Sequence, residues 1–169
     1  MKNIVSEQKM ENLYRLAGKG LWNLQYVEEV LSFYLVLKID IKCPGVVSQE
    51  NYKKILGKYK KKTLGQVLAI AENNKLFPEE ILKKLKEFKE NRNWLVHNSL
   101  YTHREYLFDK ITMNTLKGKL SEFSAQALKL QEIIAKELER FVISKGISKE
   151  EIDNKQKEIW ERKMIISNE

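Results

Sequence analysis

Arg92, Asn93 and His97 are the residues whose types and spacing fit a chemical role. They lie in the run Glu90-Asn91-Arg92-Asn93-Trp94-Leu95-Val96-His97-Asn98, inside a segment of helical periodicity. The apolar stripe of that segment runs Ile81, Leu85, Phe88, Leu95 and Val96. Arg92 occupies the middle of the stripe, where another Leu is expected. A guanidinium cannot shed its proton to escape burial, so it needs a carboxylate, a phosphate or a subunit interface. His97, one of only two histidines, brings an imidazole, a group that ionises near neutrality and serves as general acid or base. The chemistry on offer is anion binding beside proton transfer. Asn93 and His97 are four residues apart and share a helix face, with Glu90 projecting to the same side. Arg92 points about one-third of a turn away. A two-fold pairing of such helices, with two motifs bordering one cleft, lets the long arginine side chain and the imidazole converge.

Several helices must position these residues. Leu13, Ala17, Gly20, Leu24, Val27, Leu31 and Tyr34 recur at spacings of three and four, which predicts a long helix over residues 6–39. Gly18 and Gly20 weaken it and allow another helix to come close. Cys43-Pro44-Gly45 breaks the pattern. Ser48 caps a predicted helix over 49–59, and Thr63 caps another over 64–73, with Leu64, Val67, Leu68 and Ala71 inward. Pro78 suits the first position of the motif helix, whose Glu79 and Glu80 complement its dipole and which runs to Asn98 or Tyr101. Residues 103–108 fit an extended connection or a short turn. A second long helix spans 110–144 on the stripe Leu116, Leu120, Phe123, Ala127, Leu130, Ile134, Leu138 and Phe141. Gly146 ends it, and Ser148 with Glu151 forms the capping box of a last helix over 148–163. Ile152, Ile159 and Trp160 are positioned to pack that helix on the body or on another subunit. No repeat, linker or strand alternation is evident. The fold class is all-α: one domain over residues 1–169, an up-and-down bundle with two long helices, short helices and an extra C-terminal helix.

The 169 residues carry a formal net charge of +8, a balance that favours polyanionic partners without naming a reaction. A single cysteine excludes an internal disulfide framework and suits a reducing, cytoplasmic setting. No signal peptide and no apolar run of membrane-spanning length is present, so no membrane association is expected. Two histidines and one cysteine make no metal site, and no glycine-rich phosphate loop occurs, so no metal or cofactor is expected. Tyr52-Lys53-Lys54 and Lys58-Tyr59-Lys60-Lys61-Lys62 form a basic cluster with interleaved aromatics. It fits phosphate contacts and base stacking, or equally a solvated lysine face with tyrosines packed inward. His103 and Arg104 fit either RNA contact or a solvated turn. Trp94 fits a packing or dimer role.

Arg92-Asn93-Trp94-Leu95-Val96-His97 resembles the signature of the HEPN superfamily: an arginine, a polar residue after it, and a histidine closing the interval near a helix end. The order of a long helix, a short helical segment, the motif helix and another long helix is similar as well. The resemblance covers roughly residues 7–144 and leaves the last helix as an addition. It implies metal-independent endoribonuclease chemistry on RNA, leaving a 2′,3′-cyclic phosphate and a 5′-hydroxyl. His97 would act as base on the 2′-hydroxyl or acid on the leaving oxygen. Arg92 would grip the scissile phosphate, and Asn93 would orient the histidine or donate to the phosphate. It further implies a homodimer with two motifs lining one groove, in a toxin-antitoxin or phage-defence setting with an antitoxin protein as a partner. Two alternatives remain at this stage. The same cleft could serve a non-catalytic HEPN-like module that binds RNA, a nucleotide or a protein. Arg92 could instead pair with Glu28 or Glu29 and fix helix register.

Overall fold

Leu-, Lys- and Glu-rich segments with few glycines or prolines have strong helix propensity, and an apolar stripe on each gives a helix its reason to pack. The structure, a computed structural model, describes residues 7–41, 47–99 and 110–166. They form six α-helices: α1 (Glu7–Leu35), α2 (Gln49–Lys60), α3 (Leu64–Asn73), α4 (Glu79–Asn93), α5 (Lys110–Ser144) and α6 (Lys149–Ile166). No strand occurs among the described residues. Two of the helices continue as π-helical turns, α1 into Val36–Ile41 and α4 into Trp94–Asn98. Both depart from the straight α-helices that periodicity predicts. Cys43, His103, Arg104 and the rest of residues 103–108 lie outside the described residues.

α1 and α5 form the spine and pack along each other. α4 lies against α5 and α3, while α2 and α3 fold back onto α1. The buried faces of the spine are the predicted stripes: Leu24, Val27 and Leu31 of α1 meet Phe123, Ala127 and Ile134 of α5 within one core. Burial of each such side chain contributes about 1.5–3 kcal/mol, so the stripes dominate the fold's stability. Gly20 is buried where α5 and the π-helical turn after α4 come close to α1, and a Cβ there would meet Phe123 Cδ1 at 3.3 Å and Leu95 Cδ2 at 3.5 Å. Gly18 faces open space, so close approach is the work of Gly20 alone.

The ends of the short helices follow their caps. Thr63 Oγ1 accepts from the Gln66 backbone N–H at 3.3 Å, and the Gln66 side chain accepts from the Thr63 N–H at 3.0 Å. Ser148 and Glu151 repeat that reciprocal pair at 3.2 and 2.8 Å. Pro78 stands at the N-cap of α4, with extended ψ 152°, one position before the first helical turn that the sequence suggests. Gly146 ends the α5 segment at φ 90°, a conformation that L side chains rarely adopt. On α6, Ile152 is half-buried and Ile159 exposed, and the Trp160 side chain lies outside the described residues. Among the described residues no helix is long and apolar enough to cross a membrane.

Candidate functional site

The motif helix is fixed by its apolar side. Leu85 and Phe88 of α4 are fully buried, and the Phe88 ring stacks on Phe123 of α5 at 4.8 Å between centroids. Asn91 Nδ2 donates to Gln126 Oε1 at 2.8 Å and ties the same helix to α5. Beyond Asn93 the backbone widens into the π-helical turn Trp94–Asn98. A straight α-helix turns about 100° per residue and holds positions five apart about 140° out of register. An i→i+5 turn takes up an extra residue, so a side chain five positions on returns nearer to the same face. The turn therefore lessens the offset between Arg92 and His97. It also ends the predicted stripe: Leu95 stays buried, whereas Val96, expected on that stripe, is 43% exposed.

Arg92 is half-buried, and its Nε is enclosed with no hydrogen-bond partner. Its Nη1 donates to Asn93 Oδ1 at 3.5 Å, a long contact between neighbours. The charge of Arg92 reaches Glu28 of α1, but the two form no contact ion pair. Burial pushes the Glu28 carboxyl above its ordinary 4.5, and the positive charge of Arg92 opposes that rise. Glu29, the other carboxylate considered, is committed elsewhere: it pairs with Lys60 at 2.8 Å. Arg92 thus enters the fold with donors to spare. Asn93 is half-buried beside it, and His97 stands exposed about one turn further on. Trp94, half-buried, lies under Lys119 Nζ at 5.2 Å from the ring centroid.

Lys58, Lys60, Lys61 and Lys62 are all exposed at the end of α2 and the turn after it. The tyrosine between them, Tyr59, points inward. Tyr59 is only 8% exposed and donates to Asp40 Oδ2 at 2.7 Å, and burial together with that bond pushes its pKa up to about 12. Tyr52 is half-buried, and its pKa is raised chiefly by burial. Base stacking by Tyr59, one of the roles the cluster suggests, is corrected accordingly: its ring belongs to the core. Lys60 is held by Glu29 and lies over Phe33, whereas Lys53, Lys54, Lys58, Lys61 and Lys62 form no ion pair among the described residues.

The exposed aromatics lie elsewhere, on α1. Trp22 and Tyr26 are 63% and 46% exposed and meet edge to face, 6.4 Å between centroids. With Glu28, Lys60 and Lys62 they line a cavity of about 400 Å³ between α1 and the α2–α3 segment. Helical periodicity does not mark them, because they lie off the inward stripe of α1. The available signal is an outer helix face carrying Tyr14, Trp22 and Tyr26 where lysine and glutamate are usual. Among the described residues no three His, Cys, Asp or Glu side chains gather as a metal site. No protein-family model, curated protein or solved structure matches the chain.

Proposed function

We propose that this chain is an HEPN-type endoribonuclease, with Arg92, Asn93 and His97 as its catalytic residues. The observation that carries the reading is Arg92, a half-buried guanidinium with an unpartnered Nε, one turn before an exposed histidine. A cation held in low-dielectric surroundings with unused donors is suited to the growing charge on a phosphorane. In the reaction, the ribose 2′-oxygen attacks the adjacent phosphorus, and the bond to the 5′-oxygen breaks. His97 removes the 2′-proton, and the His97 of a second copy protonates the departing 5′-oxygen. The products are a 2′,3′-cyclic phosphate and a 5′-hydroxyl, and no metal takes part. The exposed Lys58, Lys61 and Lys62 support the reading as contacts to the RNA backbone, a term that weakens as salt rises. A homodimer, an antitoxin partner and a cytoplasmic setting belong to the same proposal. The test is cleavage of end-labelled RNA in excess EDTA. The proposal expects cyclic-phosphate ends and no cleavage where the scissile ribose is 2′-deoxy; cleavage of the deoxy substrate would contradict it.

A second reading, a non-catalytic module using the same cleft, is favoured by one observation. Among the described residues no side chain orients His97 by a hydrogen bond, the support a catalytic base ordinarily has. Such bonds often tighten only in the bound complex, so the first reading is preferred. RNA binding without any product would favour the second.

A further inference from the structure

We propose that the cavity between α1 and the α2–α3 segment is a guanine subsite: Trp22 and Tyr26 hold the purine ring, Glu28 accepts from its N1–H and 2-amino group, and Lys62 meets the attached phosphate. The cavity, about 400 Å³, lies within the usual size range of small-ligand sites. Two large aromatic side chains exposed side by side on one helix are a platform for a flat ring, and bases taken out of a stack are commonly held that way. Leu64 and Val67 give the cavity an apolar floor.

The polar groups then narrow the choice. Glu29 and Lys60 cancel each other as a pair. Ser32 Oγ spends its donor on the Glu28 carbonyl oxygen at 2.8 Å. What remains on the rim is the Gln25 amide, which can turn to donate or to accept, the Glu28 carboxylate, which among the described residues takes part in no side-chain hydrogen bond, and Lys62, which forms no ion pair among them. An ionised carboxylate only accepts. Guanine alone among the four RNA bases offers two adjacent donors on one edge, N1–H and the 2-amino group. Adenine and cytosine place a ring-nitrogen acceptor beside their amino group, and uracil flanks its N–H with two carbonyls. Each would set an acceptor against the carboxylate. Burial raises the Glu28 pKa, and the charge of Arg92 opposes that rise in favour of the accepting, ionised form.

Because Glu28 lines the cavity and its carboxyl feels the charge of Arg92, a base seated there would bring its strand toward the motif. In that respect the subsite rests on the ribonuclease reading; its recognition of guanine does not.

The test uses the full chain and four nucleotides, GMP, AMP, CMP and UMP, followed by tryptophan emission and calorimetry. GMP is expected to bind at least ten-fold tighter than the others. Trp22→Leu is expected to lower GMP affinity at least ten-fold and to remove the emission change. Glu28→Gln is expected to erase the preference, and Lys62→Ala to weaken GMP while leaving guanosine unchanged. Equal affinity for all four, no binding of GMP at millimolar concentration, or unaltered GMP binding by a folded Trp22→Leu protein would overturn the proposal. Guanine- and adenine-containing oligoribonucleotides on His97→Ala protein distinguish the source: tighter binding of the guanine oligomer than of GMP assigns the base to an RNA strand, and equal binding assigns a free nucleotide. Selective GMP binding with no RNA cleavage would sink the ribonuclease reading and spare the subsite; cleavage with no guanine preference would do the reverse.

Discussion

The face between α1 and α5 and the surroundings of Arg92 and Glu28 both enclose polar groups, and they treat them differently. Along the spine, Asn23 Nδ2 donates to Ser124 Oγ at 2.7 Å, and Gln131 Nε2 donates to the Asn23 carbonyl oxygen at 3.0 Å. Asn23 and Ser124 are buried and their side chains paired, as structural polar groups in cores generally are. At the motif, Arg92 keeps an enclosed Nε without a partner, and Glu28 is held above its ordinary pKa by burial. One polar cluster is satisfied within the fold, and the other keeps an enclosed donor open.

The comparison breaks first if the motif helix is anchored by its arginine and not by its aromatic packing. Phe88→Ala removes the ring stacked on Phe123 and is expected to cost about 3–5 kcal/mol in urea unfolding. A loss below about 1 kcal/mol would show that α4 is held otherwise. Next in size, Asn23→Ala leaves Ser124 without its donor in the spine and is expected to cost about 1–3 kcal/mol. Arg92→Met is expected to change stability by less than about 1 kcal/mol, because no contact ion pair is lost. If Arg92 and Glu28 formed a structural pair, the same change would cost about 3–5 kcal/mol.

The smallest effect concerns Glu28 and pH. Its folded pKa is raised, so folding favours the protonated carboxyl, and stability is lost as pH rises through that value. Glu28→Gln should therefore raise Tm slightly at pH 7, and the gain should vanish in acid, where the parent carboxyl is protonated. A fall in Tm at pH 7 would mean that attraction to Arg92 outweighs burial.

Much of the scaffold was legible in the sequence because its signals are local. Thr63 with Gln66 sets the start of α3, and the stripe from Leu116 to Ile134 sets the buried face of α5. Arg92 stood out for the same reason, as a charge where a Leu belongs. The π-helical turn at Trp94–Asn98 was not legible: it is a matter of backbone hydrogen bonding, and no residue type in Trp-Leu-Val-His-Asn announces it. Val96 lies within that turn and is 43% exposed. The inward turn of Tyr59 depends on Asp40, nineteen positions earlier, which helical periodicity does not link to it. The cavity of Trp22 and Tyr26 arises only when the segment after α1 folds back over it, so the residues were visible but their association was not.

The most direct test of the central claim is cleavage of end-labelled RNA in excess EDTA by three proteins purified identically: the parent, Arg92→Ala and His97→Ala, each with its Tm recorded. General acid–base catalysis by a positioned side chain is worth about 10²–10⁴-fold. The account predicts that loss or more for His97→Ala, a comparable loss for Arg92→Ala, and Tm values close to the parent's. Cleavage by both variants at the parent's rate would contradict it.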